Sequence, residues 1–403
     1  MRIVIALASS SGQLSGVQRH GINLARCLLT RDEITQVHLV AAPWQIEFVL
    51  DLMSDSVLER DARLHLHAAP IGNNARSRNL WFYRQLPELA KQLAADIVHL
   101  AYPVPVRRGA FTCPTVVTLH DLYPYDIPEN FGFPKVLFNR AVLRQCLREV
   151  DSIACVSEST LSRLAELHPQ LAMKKSALIY NSVEPQPRLE QHQSPPEGLY
   201  GKPFLLCVAQ HRRNKNVMLA LRVFKRLLQA AGDVPATNAL RMVVVGIPGP
   251  ETPALMRYIT RSGLTDSVTL LNGISDRQLQ WCYNNCRLLF APSTIEGFGL
   301  PVAEALLAGC RVVCSDIPAF RELGCDHCHY VSLGTHAEEA FADTIAPLLN
   351  LDRPEPVALP RLSMPVIADA YVQLYRSLLS AQDTANRRDA SPLISAKEGG
   401  LIL

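Results

Sequence analysis

At 403 residues, with 48% hydrophobic and 19% charged side chains, the chain is too long for one ordinary core and too apolar for disorder. A formal charge of +3 excludes bulk attraction to nucleic acid, and no run approaches the roughly 20 apolar residues that span a bilayer. Eleven scattered cysteines with no visible export signal read as reduced, mostly buried thiols.

Taken in chain order, the apolar run after Met1-Arg2 predicts a buried first strand over 2–7. Short β-branched runs at 36–41, 96–100, 115–119, 152–155 and 177–180 predict further strands. Amphipathic stretches at 17–29, 80–93, 135–150 and 159–167 predict the helices between them. Strands apolar on both faces and separated by helices imply a parallel sheet covered on both sides. Residues 185–202, rich in Pro, Gln and Gly, break the pattern and read as a linker.

Alternation resumes with strands at 204–208, 240–245, 268–271, 288–290 and 311–314. Helices are expected near 216–231, 253–262 and 276–283, from Leu300 onward, and near 336–349 and 366–379, before a loose tail over 381–403. The expected fold class is therefore α/β, two doubly wound Rossmann-like domains facing across a cleft: residues 1–184 and 203–362. A closing helix at 363–380 is free to pack back on the first domain. Each domain places its ligand site at the carboxyl ends of its strands.

The most specific segment is Glu296-Gly297-Phe298-Gly299-Leu300-Pro301, with Glu304 beyond it, between a strand and a helix. Pro301 suits a first helical turn, and Gly297 and Gly299 let the backbone approach a ligand. The amides of Phe298, Gly299 and Leu300 then converge at the positive end of a helix dipole, a nest for phosphate or sugar oxygens. Glu296 and Glu304 flank it, each able to accept from vicinal hydroxyls, one pair on a hexose and one on a ribose. His120-Asp121 ends the strand 115–119 on the cleft side. Cys325-Asp326-His327-Cys328-His329 has the spacing of a haem attachment, with Cys310 and Cys314 near enough in sequence to suggest zinc; a plain loop between helix and strand is the preferred reading.

The Glu296 to Glu304 run, with seven residues between the glutamates, resembles the signature of glycosyltransferase family four. Those are retaining enzymes of the GT-B fold that use nucleotide-sugar donors. Phe204 to Asn216, containing Arg212, Arg213 and Lys215, is similar to the family's strand and basic loop. Residues 263–276, with Gly273 and Ile274, are similar to its base-binding segment. The resemblance implies that Lys215 holds the diphosphate, that Glu296 binds the donor sugar and that Glu304 binds the ribose, with His120, Glu296 and Lys215 as the catalytic set. It implies that His120 contacts the sugar near the reacting carbon, with Asp121 on the acceptor side, and that Ser15 and Gly16 approach the phosphates. Gln210 stands where many members carry arginine, so Arg212 or Arg213 is expected to supply the second charge.

The resemblance further implies retention, with a glycan or lipid-linked acceptor, no cofactor and no metal, and a hexosyltransferase of surface polysaccharide assembly, mannose or glucose being the family habit. A silent scaffold of the same fold, a nucleotide-sugar epimerase and a phosphorylase are the competing readings. Arg140, Arg144 and Arg148 recur at four-residue spacing on the helix 135–150, with Arg107 and Arg108 as possible additions. That basic face suits either plain solvation or an anionic membrane, and hence a cytoplasmic protein at the inner membrane face.

Overall fold

The computed structural model describes residues 1–10, 16–54, 61–184, 195–230 and 240–389. Ten of the first half's residues in the expected linker, 185–194, lie outside the described residues, as do Ser15 and the tail from 390.

Seven strands form the first sheet: β1 (Arg2–Ala6), β2 (Gln36–Ala41), β3 (Leu64–Ala68), β4 (Ile97–Leu100), β5 (Thr115–Leu119), β6 (Ser152–Cys155) and β7 (Ser176–Leu178). Their order is β3-β2-β1-β4-β5-β6-β7, and every pairing is parallel. Six strands form the second: β8 (Phe204–Val208), β9 (Arg241–Val245), β10 (Val268–Leu271), β11 (Leu288–Ala291), β12 (Val312–Ser315) and β13 (Cys328–Val331). Their order is β10-β9-β8-β11-β12-β13, again all parallel. Both sheets reverse direction of growth at one point, between β1 and β4 and between β8 and β11. A crevice opens there at the strands' carboxyl ends.

The central strands are buried along their length, as in β4, β5 and β6, because helices cover both faces. Each sheet thus carries two apolar layers. One layer of the second sheet gathers Leu205, Phe224, Phe290 and Phe341, and the other gathers Phe204, Leu206, Val312 and Phe320.

Some elements differ from the sequence-based expectation. The edge strand β3 reads LHLHA, too polar and short to stand out. The helix expected from Leu80 begins five residues earlier, at Ala75, capped by the Asn74 side chain accepting from the Ser77 amide at 2.9 Å. The last helix spans Met364–Asp389, beyond the end expected near 380.

That last helix lies against the helix Gly16–Leu29 and places Ile367, Tyr371 and Tyr375 in the first domain's core with Ile3, Ile5 and Leu28. Tyr375 Oη lies 2.6 Å from His99 Nδ1, and His99 Nε2 lies 2.8 Å from Thr118 Oγ1. Thr118 Oγ1 in turn lies 3.0 Å from His20 Nε2. A buried polar chain thus runs from the final helix to His20, whose ring meets His120 edge-on at 4.9 Å.

The helix Lys135–Glu149 does not present its three arginines as one outward face. Arg140 turns inward, its Nε donating to the Pro124 carbonyl at 2.7 Å and its guanidinium lying 5.2 Å from the Tyr125 ring centre. Arg108 is likewise occupied, paired with Asp151 at 2.6 Å. Arg144 and Arg148 remain exposed, and beside them Phe133, Leu137 and Phe138 are 84%, 52% and 54% exposed.

The closing helix makes a measurable demand on the first domain. Tyr375→Ala removes a fully buried ring and should lower unfolding free energy by about 3–5 kcal/mol in chemical denaturation. A loss under about 1 kcal/mol would show that the helix is not part of that core.

Candidate functional site

The second sheet's reversal point supplies the most charged part of the cleft. Lys215 lies in the loop after β8, and Glu296 lies in the loop after β11. The short turn Arg213–Lys215 ends at Asn216 in the left-handed region, φ 51°. The preceding Asn214 is buried and braces the opposite loop: its carbonyl accepts from the Thr294 amide at 2.8 Å, and its side chain donates to the Ile295 carbonyl at 3.4 Å. This brace brings Lys215 Nζ to 2.6 and 2.7 Å from the two carboxylate oxygens of Glu296. The Glu296 side chain is only 9% exposed, so removing Lys215 strands a nearly buried charge.

Beyond Glu296 the chain makes its glycine elbow. Gly299 sits at φ 103° with the Phe320 ring 2.9 Å from where a Cβ would stand, so both backbone and space require glycine. Pro301 enters the first turn of the helix Leu300–Leu307. Among the described residues no acceptor takes the amides of Phe298, Gly299 or Leu300. Glu304 lies one turn on, with Oε2 accepting from the Tyr283 hydroxyl at 2.7 Å. Burial raises the Glu304 carboxyl above its ordinary range, while Tyr283 opposes the shift.

The first domain meets this loop with the end of β5. His120 Nε2 lies 2.9 Å from the Ala101 carbonyl, which only accepts; Nε2 therefore holds the proton, and Nδ1 keeps its lone pair. Burial lowers the His120 pKa to about 4, so the ring is neutral near pH 7. Asp121 accepts from the Tyr123 amide at 3.1 Å. Burial pushes its carboxyl up to about 6, opposed by the Tyr123 amide and by the charges of Lys215 and Arg212. Tyr123 reaches across, its hydroxyl 3.4 Å from both Glu296 Oε2 and the Ile295 carbonyl.

The two domains touch at backbone distance. A Cβ built on Gly297 would stand 1.7 Å from the His120 carbonyl oxygen. At the cleft's edge Arg19 pairs with Asp276 at 2.7 Å. Asp276 opens the helix Asp276–Asn285, which Ser275 and Gln278 cap reciprocally.

The structure thus brings Lys215, Glu296, Gly297, His120 and Asp121 into one cluster, with Arg212 within electrostatic reach of Asp121. Arg212 and Arg213 are both exposed, and only Arg212 is felt at Asp121. Gly273 is exposed at φ 70°, and Ile274 packs partly against the second domain's core. Gly16 is exposed as the first residue of its helix, while Ser15 lies outside the described residues. The cysteines of the C-x-x-C-H run do not form a four-sulfur cluster with Cys310 and Cys314. Cys310 faces Cys286 at 3.1 Å, the free thiols of Cys314 and Cys328 share a hydrogen bond, and Cys325 is exposed. Among the described residues no group of three or more such side chains is placed to hold a metal ion.

Tyr123 and Tyr283 carry no sequence signal: each is one tyrosine among eleven, in a segment without a motif. Gly246 offers a weak one, following a strand. A Cβ there would stand 1.9 Å from the Ala209 carbonyl, so the basic loop is pinned against the end of β9.

Comparison with known proteins follows the same division of the chain. The model for Glycosyltransferase Family 4 matches residues 14–187, and that for glycosyl transferases group 1 matches residues 190–359. The O-antigen chain mannosyltransferase RfbU of Salmonella typhimurium is 25% identical over 216 residues, covering 54% of this chain and 56% of that protein. The O-antigen chain mannosyltransferase B of Escherichia coli is 25% identical over 344 residues, covering 80% of this chain and 84% of that protein. The match thus spans about half the length of the first relative and most of the second. Among solved structures, WaaG, a glycosyltransferase involved in lipopolysaccharide biosynthesis, superposes with a TM-score of 0.62 at 14% identity, over 95% of this chain and 99% of that one. Anabaena HepE, solved with UDP and glucose, gives 0.59 at 17% identity over 97% of this chain and 100% of that one. These likenesses establish two facing parallel-sheet domains.

Gly297→Ala tests the contact on which the cleft depends. The added methyl forces the domains apart or the elbow out of place, costing about 1–3 kcal/mol of stability. Small-angle scattering should show a larger radius of gyration, and an unchanged profile with unchanged stability would refute the close approach.

Proposed function

The chain belongs to glycosyltransferase family four, both halves matching in order, and from that premise we propose that it moves a hexose, mannose foremost, from a nucleoside diphosphate carrier to a glycan or lipid-linked acceptor of surface polysaccharide, with retention and without a metal. The observation that carries this reading is the Lys215–Glu296 pair, at 2.6 Å, beside the unpaired amides of the elbow. The mannose assignment is supported by relatives named O-antigen chain mannosyltransferases.

Transfer requires that a diphosphate leave with its negative charge stabilised. Lys215 and Arg212 supply two positive charges, and the amides of Phe298, Gly299 and Leu300 supply fixed dipoles. Glu296 shares Lys215 with the incoming diphosphate and accepts from sugar hydroxyls. Glu304, with one oxygen held by Tyr283, offers the other to the ribose. His120 is neutral with Nδ1 unprotonated, and so accepts a hydroxyl proton from the sugar. The departing phosphate oxygen takes the acceptor's proton on the face it leaves, which preserves the anomeric configuration. No side-chain nucleophile enters this scheme.

Among the described residues no helix is long and apolar enough to cross a membrane. Phe133, Leu137 and Phe138 stand out from the first domain beside Lys135, Arg144 and Arg148. Exposed apolar side chains on or next to a helix with exposed cations fit an anionic lipid surface, where a lipid-linked acceptor would be presented.

Two measurements test the proposal. Turnover of GDP-mannose, UDP-glucose and related donors in EDTA should single out one donor; Lys215→Ala and Glu296→Ala should each reduce its turnover at least about hundredfold. Loss of wild-type turnover on chelation would overturn metal independence, and binding of no donor by folded protein would overturn the enzyme reading. In sedimentation with vesicles, wild type should bind those containing anionic phosphatidylglycerol and not neutral ones. Phe133→Ser/Phe138→Ser should weaken that binding about tenfold, and equal binding by this variant would remove the patch from the scheme.

A further inference from the structure

The Gly297 carbonyl is held by two hydroxyls of the opposite domain. Ser157 Oγ donates to it, and Thr160 Oγ1 approaches it at 3.1 Å. Both residues are buried, at 1% and 4% exposure. Ser157 caps the helix Glu158–Leu167, accepting from the Thr160 amide at 2.9 Å, and its own proton faces both the Gly297 carbonyl and Thr160 Oγ1, the latter at 3.0 Å. Thr160 has one hydroxyl proton, facing the Gly297 carbonyl at 3.1 Å and the His120 carbonyl at 3.3 Å. Both of these carbonyls only accept. The Gly297 oxygen has two lone pairs and lies within hydrogen-bond reach of both hydroxyls.

A trans peptide points its C=O and the following N–H in opposite directions. The one cis peptide among the described residues is Phe133–Pro134, so Gly297–Phe298 is trans. Fixing the Gly297 oxygen toward the helix Glu158–Leu167 therefore turns the Phe298 N–H away from it. That is one of the three elbow amides with no acceptor among the described residues. A glycine has no side chain to hold its own peptide plane, and the freedom that admits the His120 carbonyl also admits a flip.

We infer that Ser157 and Thr160 are positioning residues for the donor: from the first domain they set the direction of the Gly297–Phe298 peptide in the second, so that the Phe298 amide faces the nucleotide sugar. The amide nest is thus complete only when the domains are together, and donor binding and closure reinforce one another. This rests on the proposed donor site.

The test uses the full chain, with GDP-mannose and UDP-glucose as calorimetric probes. Thr160→Val removes the hydroxyl while keeping the side chain's shape and the Ser157 cap; Thr160→Ser restores the hydroxyl; Ser157→Ala/Thr160→Val removes both. Thr160→Val should bind the donor taken by wild type about tenfold more weakly. Its melting temperature should stay close to wild type, KM for the donor should rise more than kcat falls, and Thr160→Ser should lie within about twofold of wild type. The double variant should be weaker still. If both hydroxyl-deleted variants bind like wild type while Lys215→Ala does not, the clamp is wrong and the donor site stands. If Thr160→Ser fails to rescue, Thr160 acts through packing and the inference falls. If Lys215→Ala also binds like wild type, or wild type binds neither probe, the donor site is misplaced and the inference falls with it.

Discussion

Everything in the cleft is referred to one close approach, the α-carbon of Gly297 against the carbonyl oxygen of His120. There is no room for even a methyl group between them. The contact joins the end of β5 to the loop after β11, so the two sheets meet there through main-chain atoms, with side-chain bonds across the domains around it. Because backbone is stiff, one contact at this distance fixes the separation of His120 from Glu296 and hence the width of the site. The cross-domain reach of Tyr123 to Glu296 depends on the same spacing. So does the bond between Asn130 and Asn214 at 3.1 Å.

The site's electrostatics follow from that geometry. Lys215 and Glu296 are partly withdrawn from water, and each is tolerated because the other is present. Asp121 lies close by, its ionisation disfavoured by burial and by the Glu296 charge, and favoured by Lys215 and Arg212. In the proposed scheme an incoming dianion meets Lys215, already held by Glu296, and the exposed Arg212, with the Asp121 carboxyl pushed up to about 6 beside them. Little reorganisation is required, and this is where enclosed sites gain over water. His120 contributes no charge: it is held neutral by burial and fixed in one tautomer by Ala101, which in the proposed scheme lets it bind a sugar hydroxyl without competing for the diphosphate.

The strands of both sheets were legible because both of their faces are covered, which leaves unbroken apolar runs such as IVIA and LLF. The edge strand β3 was not, since an edge needs no such run. The elbow was legible because two glycines, a proline and two glutamates sit within nine residues. Lys215 was visible in a basic loop, but its ion pair with Glu296 joins residues 81 positions apart, and local pattern carries no such distance. The same limit hid Tyr123 and Tyr283. The arginine spacing on the helix Lys135–Glu149 suggested a single basic face, and periodicity correctly placed the residues on the helix. It had no access to the Pro124 carbonyl and Tyr125 ring that draw Arg140 inward.

The way the chain crosses between domains explains how so tight a contact can still admit a substrate. The chain passes from the first domain to the second after Val183 and returns near Leu362, and the two crossings are bonded to each other, the Val183 amide donating to the Leu362 carbonyl at 3.0 Å. Glu184 also accepts from the Met364 amide at 2.5 Å, binding the outgoing segment to the start of the returning helix. Two strands of chain tied side by side resist twisting more than a single linker does, and leave rotation about their common line as the softest motion. The returning helix is anchored in the first domain's core by Tyr371 and Tyr375 and so belongs to that domain. Opening about that line separates Gly297 from His120, Ser157 and Thr160 together, and closing restores all three contacts at once. On the proposed reading, a hinge of this construction makes the glycine elbow the element that registers closure.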